Sequence, residues 1–491
     1  MGSAGLWMLL VLAFLVIATE LPVWALLVGV ASAFAVLGIA AGVFDSGILS
    51  ALAPRIVNLL EHDLLQAMPL YVFIGVLLQR LAVADALFAS AARLFRPIGA
   101  GSPLAALAVG TLIAPMNGSV ASSSALLSRL VAPRLKGLAP ARAVTLISVA
   151  ATIGVVVPPS LVLILLGDAM LRAHTEASNL PGFVLGSQRI INTQDVLHAA
   201  LLPAAAVLLL WAVVAWLQDR ALKEPAEPVP LKRSDAAIAL LATISIVLLL
   251  GGVFMGRLFA VEAAATGGCL LAGATLAARA LSIAQWREVL RDTLALSGAL
   301  FALLIGATTF SLVFRVFSTD RWLAELVLAS PWPPLATAAL VLVLVALCAC
   351  VLDAFEMIFV VIPIVAPLLI LRLGDAQQTA VLLLLVLQLS FLLPPLGYAV
   401  LMARSRSGLP RVSTAVLLRA LAPFVLVQLC VGALVFAWPG ASHLLDTAIP
   451  AAAPGTTAPS EQDIVRQMEE MGRQAPAEPD AEPPAVEGTK P

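Results

Sequence analysis

Two stretches of this sequence hold polar groups inside runs that are otherwise apolar. The first runs from Thr111 to Ser124 and carries Pro115, Asn117, Gly118, Ser119, Ser122, Ser123 and Ser124. Gly118 permits backbone conformations closed to other residues. Pro115 removes a helical hydrogen bond and so frees a carbonyl nearby. Hydroxyls and an amide oxygen surround that opening. Hard, uncharged oxygen donors of this kind suit dehydrated Na⁺ better than a transition metal. Small residues that let helices pack closely are the other reading of the same stretch.

The second stretch carries Asp353 and Glu356, three residues apart and therefore on one face of a helix. A carboxylate at mid-membrane costs roughly 2.5–3.5 kcal/mol on insertion scales. Na⁺ coordination, proton binding, a pair with a base such as Arg315, or a helix cap would each offset that cost. Two proline pairs complete the set. Pro158-Pro159 follows Gly154 and precedes Ser160, while Pro394-Pro395 follows Leu393 and precedes Gly397. Two consecutive prolines remove two amide donors, so each helix must open or kink there. A half-helix starting after the prolines aims its positive end at the gap and favours an anion. Carbonyls that end the preceding half favour a cation. One midplane site could then hold a carboxylate and Na⁺ together.

The pairs lie 236 residues apart, and 41 residues before each stand Asn117 and Asp353. Upstream of each tip come an amphipathic stretch (48–66 and 283–293) and then an apolar span. The same parts occur twice in the same order, which predicts an internal repeat.

The elements that must position these groups are membrane spans. Of 491 residues, 61% are hydrophobic and 12% charged, against about 25% charged in soluble domains. Mean hydropathy is +1.04, so the expected solvent is the lipid bilayer. Spans are predicted at 5–19, 21–40, 68–81, 143–171, 196–217, 236–255, 261–280, 294–314, 379–402 and 420–438, all helical because lone strands cannot satisfy their backbone in lipid. Residues 1–19 lack a basic start and read as a retained first span. Eighteen basic residues fall in five clusters and seven in the opposing connections. Positive-inside logic puts the clusters on one face only if 103–130 and 334–371 each enter and leave by the same side. These two re-entrant hairpins make the repeat inverted and put both chain ends outside the cytoplasm.

The predicted fold is therefore an all-α polytopic inverted-repeat bundle with two re-entrant hairpins and two Pro-Pro-broken helices. Its expected parts are N-terminal helices (1–45), a first repeat (46–195), connecting scaffold helices (196–282), a second repeat with the last helix (283–438) and a disordered tail (439–491) with a short helical piece near 461–471.

Several classes are excluded. A net charge of −1 gives no electrostatic case for nucleic acid. No Gly-rich Lys-Ser/Thr loop exists to bind ATP, and no Ser/His/Asp or zinc spacing suggests an enzyme. No cofactor is implied beyond Na⁺ as coupling ion. Cys269, Cys348, Cys350 and Cys430 lie in apolar runs without metal spacing and read as packing side chains. Asp168, His174 and His198 read as interfacial.

On the residues just quoted, with Leu352-Asp353, Glu356, Pro363, Pro367, Phe391 and Gly397, residues 5–440 resemble the large (M, DctM-like) subunit of tripartite ATP-independent periplasmic (TRAP) transporters. The resemblance implies an elevator-type transporter in the bacterial inner membrane, driven by Na⁺. A periplasmic substrate-binding protein would deliver an organic acid, and a small four-helix membrane subunit would complete the assembly. It also implies ion or substrate contacts at Asn117, Gly118, Ser119, Ser122, Gly154, Pro158, Pro159, Ser160, Asp353, Glu356, Leu393, Pro394, Pro395 and Gly397. Na⁺ would sit at Asn117, Ser119, Gly154 and Asp353. Asn117 stands where the family often has serine, and Leu393 where it has a small hydroxyl residue, which leaves backbone carbonyls to serve there. A self-sufficient Na⁺/carboxylate symporter and a non-transporting scaffold paralogue are the alternative functions.

Overall fold

The computed structural model describes residues 4–445, apart from positions 20, 62, 118–119, 136, 158–159, 181–182, 184–190, 221–232, 351 and 394–396. All regular elements among the described residues are helical. In chain order the first are α1 (Ala4–Ala18), α2 (Val23–Ala40), α3 (Leu52–Leu60), α4 (Asp63–Arg80) and α5 (Val83–Phe95). Then come α6 (Gly101–Ile113), a 3₁₀ turn Ala114–Asn117, α7 (Val120–Val131), α8 (Pro140–Val156), α9 (Leu161–Ala177) and α10 (Thr193–Asp219). The middle of the chain forms α11 (Arg233–Phe254), α12 (Ala260–Ala277), α13 (Ile283–Val316) and α14 (Thr319–Leu328). The last group is α15 (Pro334–Ala349), the single turn α16 (Ala354–Glu356), a π-helical turn Met357–Val361, α17 (Ile362–Leu373), α18 (Ala376–Ser390), α19 (Tyr398–Arg406) and α20 (Thr414–Ala437).

Among the described residues seven helices are long and apolar enough to cross a membrane, or up to nine if each of two bent pairs is one span. The bilayer explains the surface. Large apolar side chains such as Phe14, Leu248, Leu294 and Leu347 are exposed, which water would not tolerate on this scale. The cysteines are free, and Cys269, Cys348 and Cys430 stand on this outer surface rather than packing the interior. The protein is an all-α polytopic membrane protein.

Helix ends recur at the 236-residue offset. Helix α6 ends at Ile113 and α15 at Ala349; α8 begins at Pro140 and α18 at Ala376. Packing recurs with them: α6 lies along α8 and α15 along α18, while α7 lies on α19 and α17 on α9. A separate group forms around α13, which packs on α2 and α4, with α12 against α4. Gly306 lets α13 close on α2, since a Cβ there would lie 2.9 Å from the Trp24 carbonyl oxygen. Arg80 at the end of α4 reaches the polar start of α13, donating to Asp292 Oδ2 at 2.5 Å and also to Glu288.

Two expectations need correction, and one feature was not anticipated. The amphipathic stretch 283–293 is not an element apart from the following span but the start of the 34-residue α13. At 1.5 Å per residue it reaches about 51 Å, well beyond the ~30 Å of lipid hydrocarbon. In the first half the matching parts are split, α3 from α4. Residues 439–445 are ordered: Pro439–Ser442 forms a 3₁₀ turn with Ala441 and Ser442 buried, and His443 Nε2 meets Asp375 Oδ2 at 2.6 Å. The short helical piece expected near 461–471 lies outside the described residues. The third difference is a sharp bend of 70° between α4 and α5, which hydropathy alone did not signal.

Candidate functional site

Close approach of the first tip to the first broken span is set by two glycines. Gly110 on α6 faces Ala150, and a Cβ on it would lie 2.6 Å from the Ala150 carbonyl oxygen. One turn along α8, a Cβ on Gly154 would lie 2.5 Å from both the carbonyl carbon and oxygen of Ala114. The start of the 3₁₀ turn that ends in Asn117 therefore rests directly on α8 near its break. Ser122 is half-buried, and Ser123 and Ser124 are buried. Ser124 Oγ donates to the Ala399 carbonyl at 3.4 Å, tying α7 to the first turn of α19. Gly118 and Ser119, like Pro158, Pro159, Pro394 and Pro395, lie outside the described residues, as does the Asn117 side chain.

The first break separates α8, which ends at Val156, from α9, which starts at Leu161, with the axes 42° apart. Val157 turns extended to leave the helix. Ser160 caps α9: its Oγ accepts from the Leu163 amide at 3.1 Å and donates to the Val155 carbonyl at 3.4 Å. Its hydroxyl thus clamps both sides of the gap. That satisfies one of the orphan donors of a helix start.

At the second tip Asp353 takes extended backbone geometry just before α16. Glu356 reaches back, its Oε2 accepting from the Asp353 amide at 3.1 Å, the returning half of a capping box. The Asp353 carboxylate has an oxygen, Oδ1, shut from solvent with no hydrogen-bond donor. A buried acceptor of this kind demands a partner. Arg315 is not that partner, contrary to one sequence expectation. It pairs instead with Glu176 across α13 and α9.

The second break follows α18. Leu393's carbonyl accepts from the Gly397 amide at 2.8 Å, and the Phe391 carbonyl from the Ala399 amide at 3.1 Å. A Cβ on Gly397 would meet the Leu393 carbonyl oxygen at 2.8 Å, so only glycine fits this turn. The Leu393 oxygen keeps a second lone pair. Cys350 Sγ approaches the Ser390 carbonyl at 4.0 Å, which joins the second tip to the second break. Tyr398, just beyond that break, lies within electrostatic reach of Asp353 and Glu356.

A buried amide pair links the two halves at this level. Gln388 Nε2 on α18 donates to the Thr152 carbonyl on α8 at 3.4 Å, and Gln428 Nε2 on α20 donates to Gln388 Oε1 at 2.8 Å. Through Gly154, Ser124, Gln388 and Cys350, both tips and both breaks join in one connected set of contacts.

Sequence reasoning missed a charged concavity. A cavity of about 630 Å³ lies between α3, α9, α13 and the π-helical turn. Arg55, Asp168, Arg172, Glu176 and Arg315 line it. Asp168 is buried, with Oδ2 2.7 Å from Arg172 Nη2. His174 is also buried, against Phe183, and His198 Nε2 lies 3.0 Å from the Phe254 carbonyl. The available signal was Arg315, a base well inside an apolar run. Its partner lies 139 residues away and no local pattern points to it.

Residues 10–441 match the family model described as tripartite ATP-independent periplasmic transporter, DctM component. The C4-dicarboxylate TRAP transporter large permease protein DctM of Pseudomonas aeruginosa is 25% identical over 400 residues, which cover 79% of this chain and 87% of that protein. The crystal structure of the YdaH transporter of Alcanivorax borkumensis superposes with a TM-score of 0.50 at 16% identity, over 81% of this chain and 90% of that one, a likeness of fold.

Proposed function

The chain belongs to the DctM component family of tripartite ATP-independent periplasmic transporters, and from that premise we propose that it carries a carboxylate solute, a dicarboxylate in the first instance, across the bacterial inner membrane together with Na⁺. Its partners are a periplasmic substrate-binding protein, which delivers the solute, and a small four-helix membrane subunit, which completes the complex. The observation that carries this reading is the buried, donor-less Oδ1 of Asp353 at the second tip.

A lone carboxylate oxygen in a low-dielectric site is satisfied by a cation. Na⁺ is held there by Asp353 and by carbonyls freed at the tips and breaks. Bound Na⁺ then neutralises part of the charge of an incoming carboxylate, whose burial alone would be prohibitive. The half-helix starting at Leu161, capped by Ser160, presents its positive end to the same region. Neither ion nor solute is stable there without the other, which is the thermodynamic basis of coupling.

The α2, α4, α12 and α13 group serves as the scaffold. The two tips with α8, α9, α18 and α19 move as the carrier. The recurrence of helix ends at one offset supports a repeat, and the clustering of basic residues argues for its inversion, with two halves that exchange roles as access alternates.

The test is succinate uptake into proteoliposomes that hold this chain with a small four-helix membrane subunit, with and without a periplasmic substrate-binding protein of the same transporter type. An inward Na⁺ gradient should drive uptake only when the binding protein is present. Uptake without it would make the chain a self-sufficient symporter. No uptake of any carboxylate by the full assembly would leave the non-transporting scaffold.

A further inference from the structure

We propose that the 630 Å³ cavity between α3, α9, α13 and the π-helical turn is an anion-capture chamber that takes a small carboxylate solute on Arg55 and Arg315. This inference rests on the carboxylate-import reading and adds a second solute station to it, distinct from the tips.

The volume falls in the range of about 300–1,000 Å³ used for small-molecule sites. Its charges do not balance. Arg172 is engaged by Asp168 at 2.7 Å and Arg315 by Glu176. Arg55 is exposed and has no ion-pair partner among the described residues. It stands close enough to Arg315 for the two like charges to repel. Asp320 offsets part of that repulsion, yet the lining itself sets three guanidiniums against two carboxylates, and the surplus positive charge favours an anion.

The walls supply the remaining contacts. Thr308, Ser311 and Arg315 line the chamber from one face of α13, at spacings of three and four residues. They offer hydroxyls followed by a guanidinium. Opposite them, before Pro363, stand Ile358 and Phe359. Both residues line the chamber, and the π-helical turn that holds them begins at Met357. Single π turns inside helices recur at functional sites. Guanidinium forks match the planar carboxylate geometry.

The chamber also straddles two packing groups, because Arg315 belongs to α13 and Glu176 to α9. A bound carboxylate competes with Glu176 for Arg315. Solute capture thereby loosens a tie between scaffold and carrier.

The test uses thiol chemistry in the full chain reconstituted in phosphatidylcholine, with Cys269, Cys348, Cys350 and Cys430 replaced by alanine and Thr308→Cys as reporter. Rates for an anionic and a cationic methanethiosulfonate are each normalised to their rates with free mercaptoethanol. The anionic reagent should be favoured. Arg55→Gln, which breaks no ion pair among the described residues, should cut that preference roughly two- to threefold, and Glu176→Gln should raise it. Succinate should slow modification, and neutral dimethyl succinate should not. An unchanged ratio in Arg55→Gln, or equal protection by dimethyl succinate, overturns the chamber. Protection by added phosphatidylglycerol but not by succinate overturns the solute assignment in favour of a lipid headgroup. The readout needs no transport. Na⁺-driven uptake with an unchanged ratio would refute the chamber alone, while succinate protection without uptake would refute the import reading alone.

Discussion

Replacing Gly154 by alanine tests whether the first tip is seated on α8 by contact of backbone on backbone. Gly154 lies inside α8, where alanine normally gains about 0.8–1.0 kcal/mol of helix propensity over glycine. Here the added Cβ would lie 2.5 Å from two backbone atoms of Ala114 and 2.8 Å from its Cβ. Ordinary contact begins at 3.4 Å, so the tip must retreat by most of an ångström. Overpacking of this kind costs about 1–3 kcal/mol. The net expectation is destabilisation of up to about 2 kcal/mol, read as a lower melting temperature of the detergent-purified protein. Gly273→Ala on α12 is the matched control, since nothing lies within 4 Å of its Cβ position. It should raise the melting temperature. Gly110→Ala meets Ala150 at 2.6 Å on the same interface, and the double variant should be less than additive because one retreat relieves both clashes. Uptake should fall in Gly154→Ala and stay unchanged in Gly273→Ala. A Gly154→Ala protein that melts as high as Gly273→Ala, with full uptake, would refute the seating of the tip.

Three further outcomes follow from named contacts. Asp353→Asn should lower Na⁺-driven uptake by about tenfold or more and raise the Na⁺ concentration for half-maximal rate, and wild-type-like uptake by Asp353→Ala would remove that carboxylate from the ion site. Gln388→Leu should cost about 1–3 kcal/mol in thermal stability, because the Gln428 amide and the Thr152 carbonyl both lose a partner; an unshifted melt would deny the network. Arg142→Gln should be severe, about 3–5 kcal/mol, since it strands the Asp219 carboxylate, whose side chain is only 4% exposed. Arg134→Gln, by contrast, breaks a pair with the half-exposed Asp85 and should cost no more than about 1 kcal/mol. Equal melts for these two variants would mean that burial does not set the value of an ion pair in this protein.

Much of the architecture was legible because its signals are local. Leucine- and alanine-rich runs in lipid must be helical, and the helices do stop at Val156 and Ser390, just before the proline pairs. Asp353 inside an apolar run marked the second tip for the same reason. The merger of 283–293 with the following span was missed because charges at Arg287, Glu288 and Arg291 suggested a separate surface helix. The informative sign was different: no proline and no glycine occurs between Ile283 and Ser297, so nothing could end the helix there. The charged cavity was illegible for a deeper reason. Arg55, Glu176 and Arg315 come from three helices, and only packing brings them together. The 3₁₀ turn at Ala114–Asn117 and the π turn at Met357–Val361 likewise reflect tertiary demands on backbone that propensity does not encode.

The bond from Gln388 to Thr152 spans 236 residues, the same interval at which the helix ends recur. In a chain of half the length these would be one position, and the contact would be that position meeting its own image across a two-fold axis. At such a self-contact a single substitution changes both partners of the same contact at once. Within one chain the two positions are free to differ, and the long amide on one side facing the short hydroxyl residue on the other is a combination that no symmetric pair of identical subunits could hold.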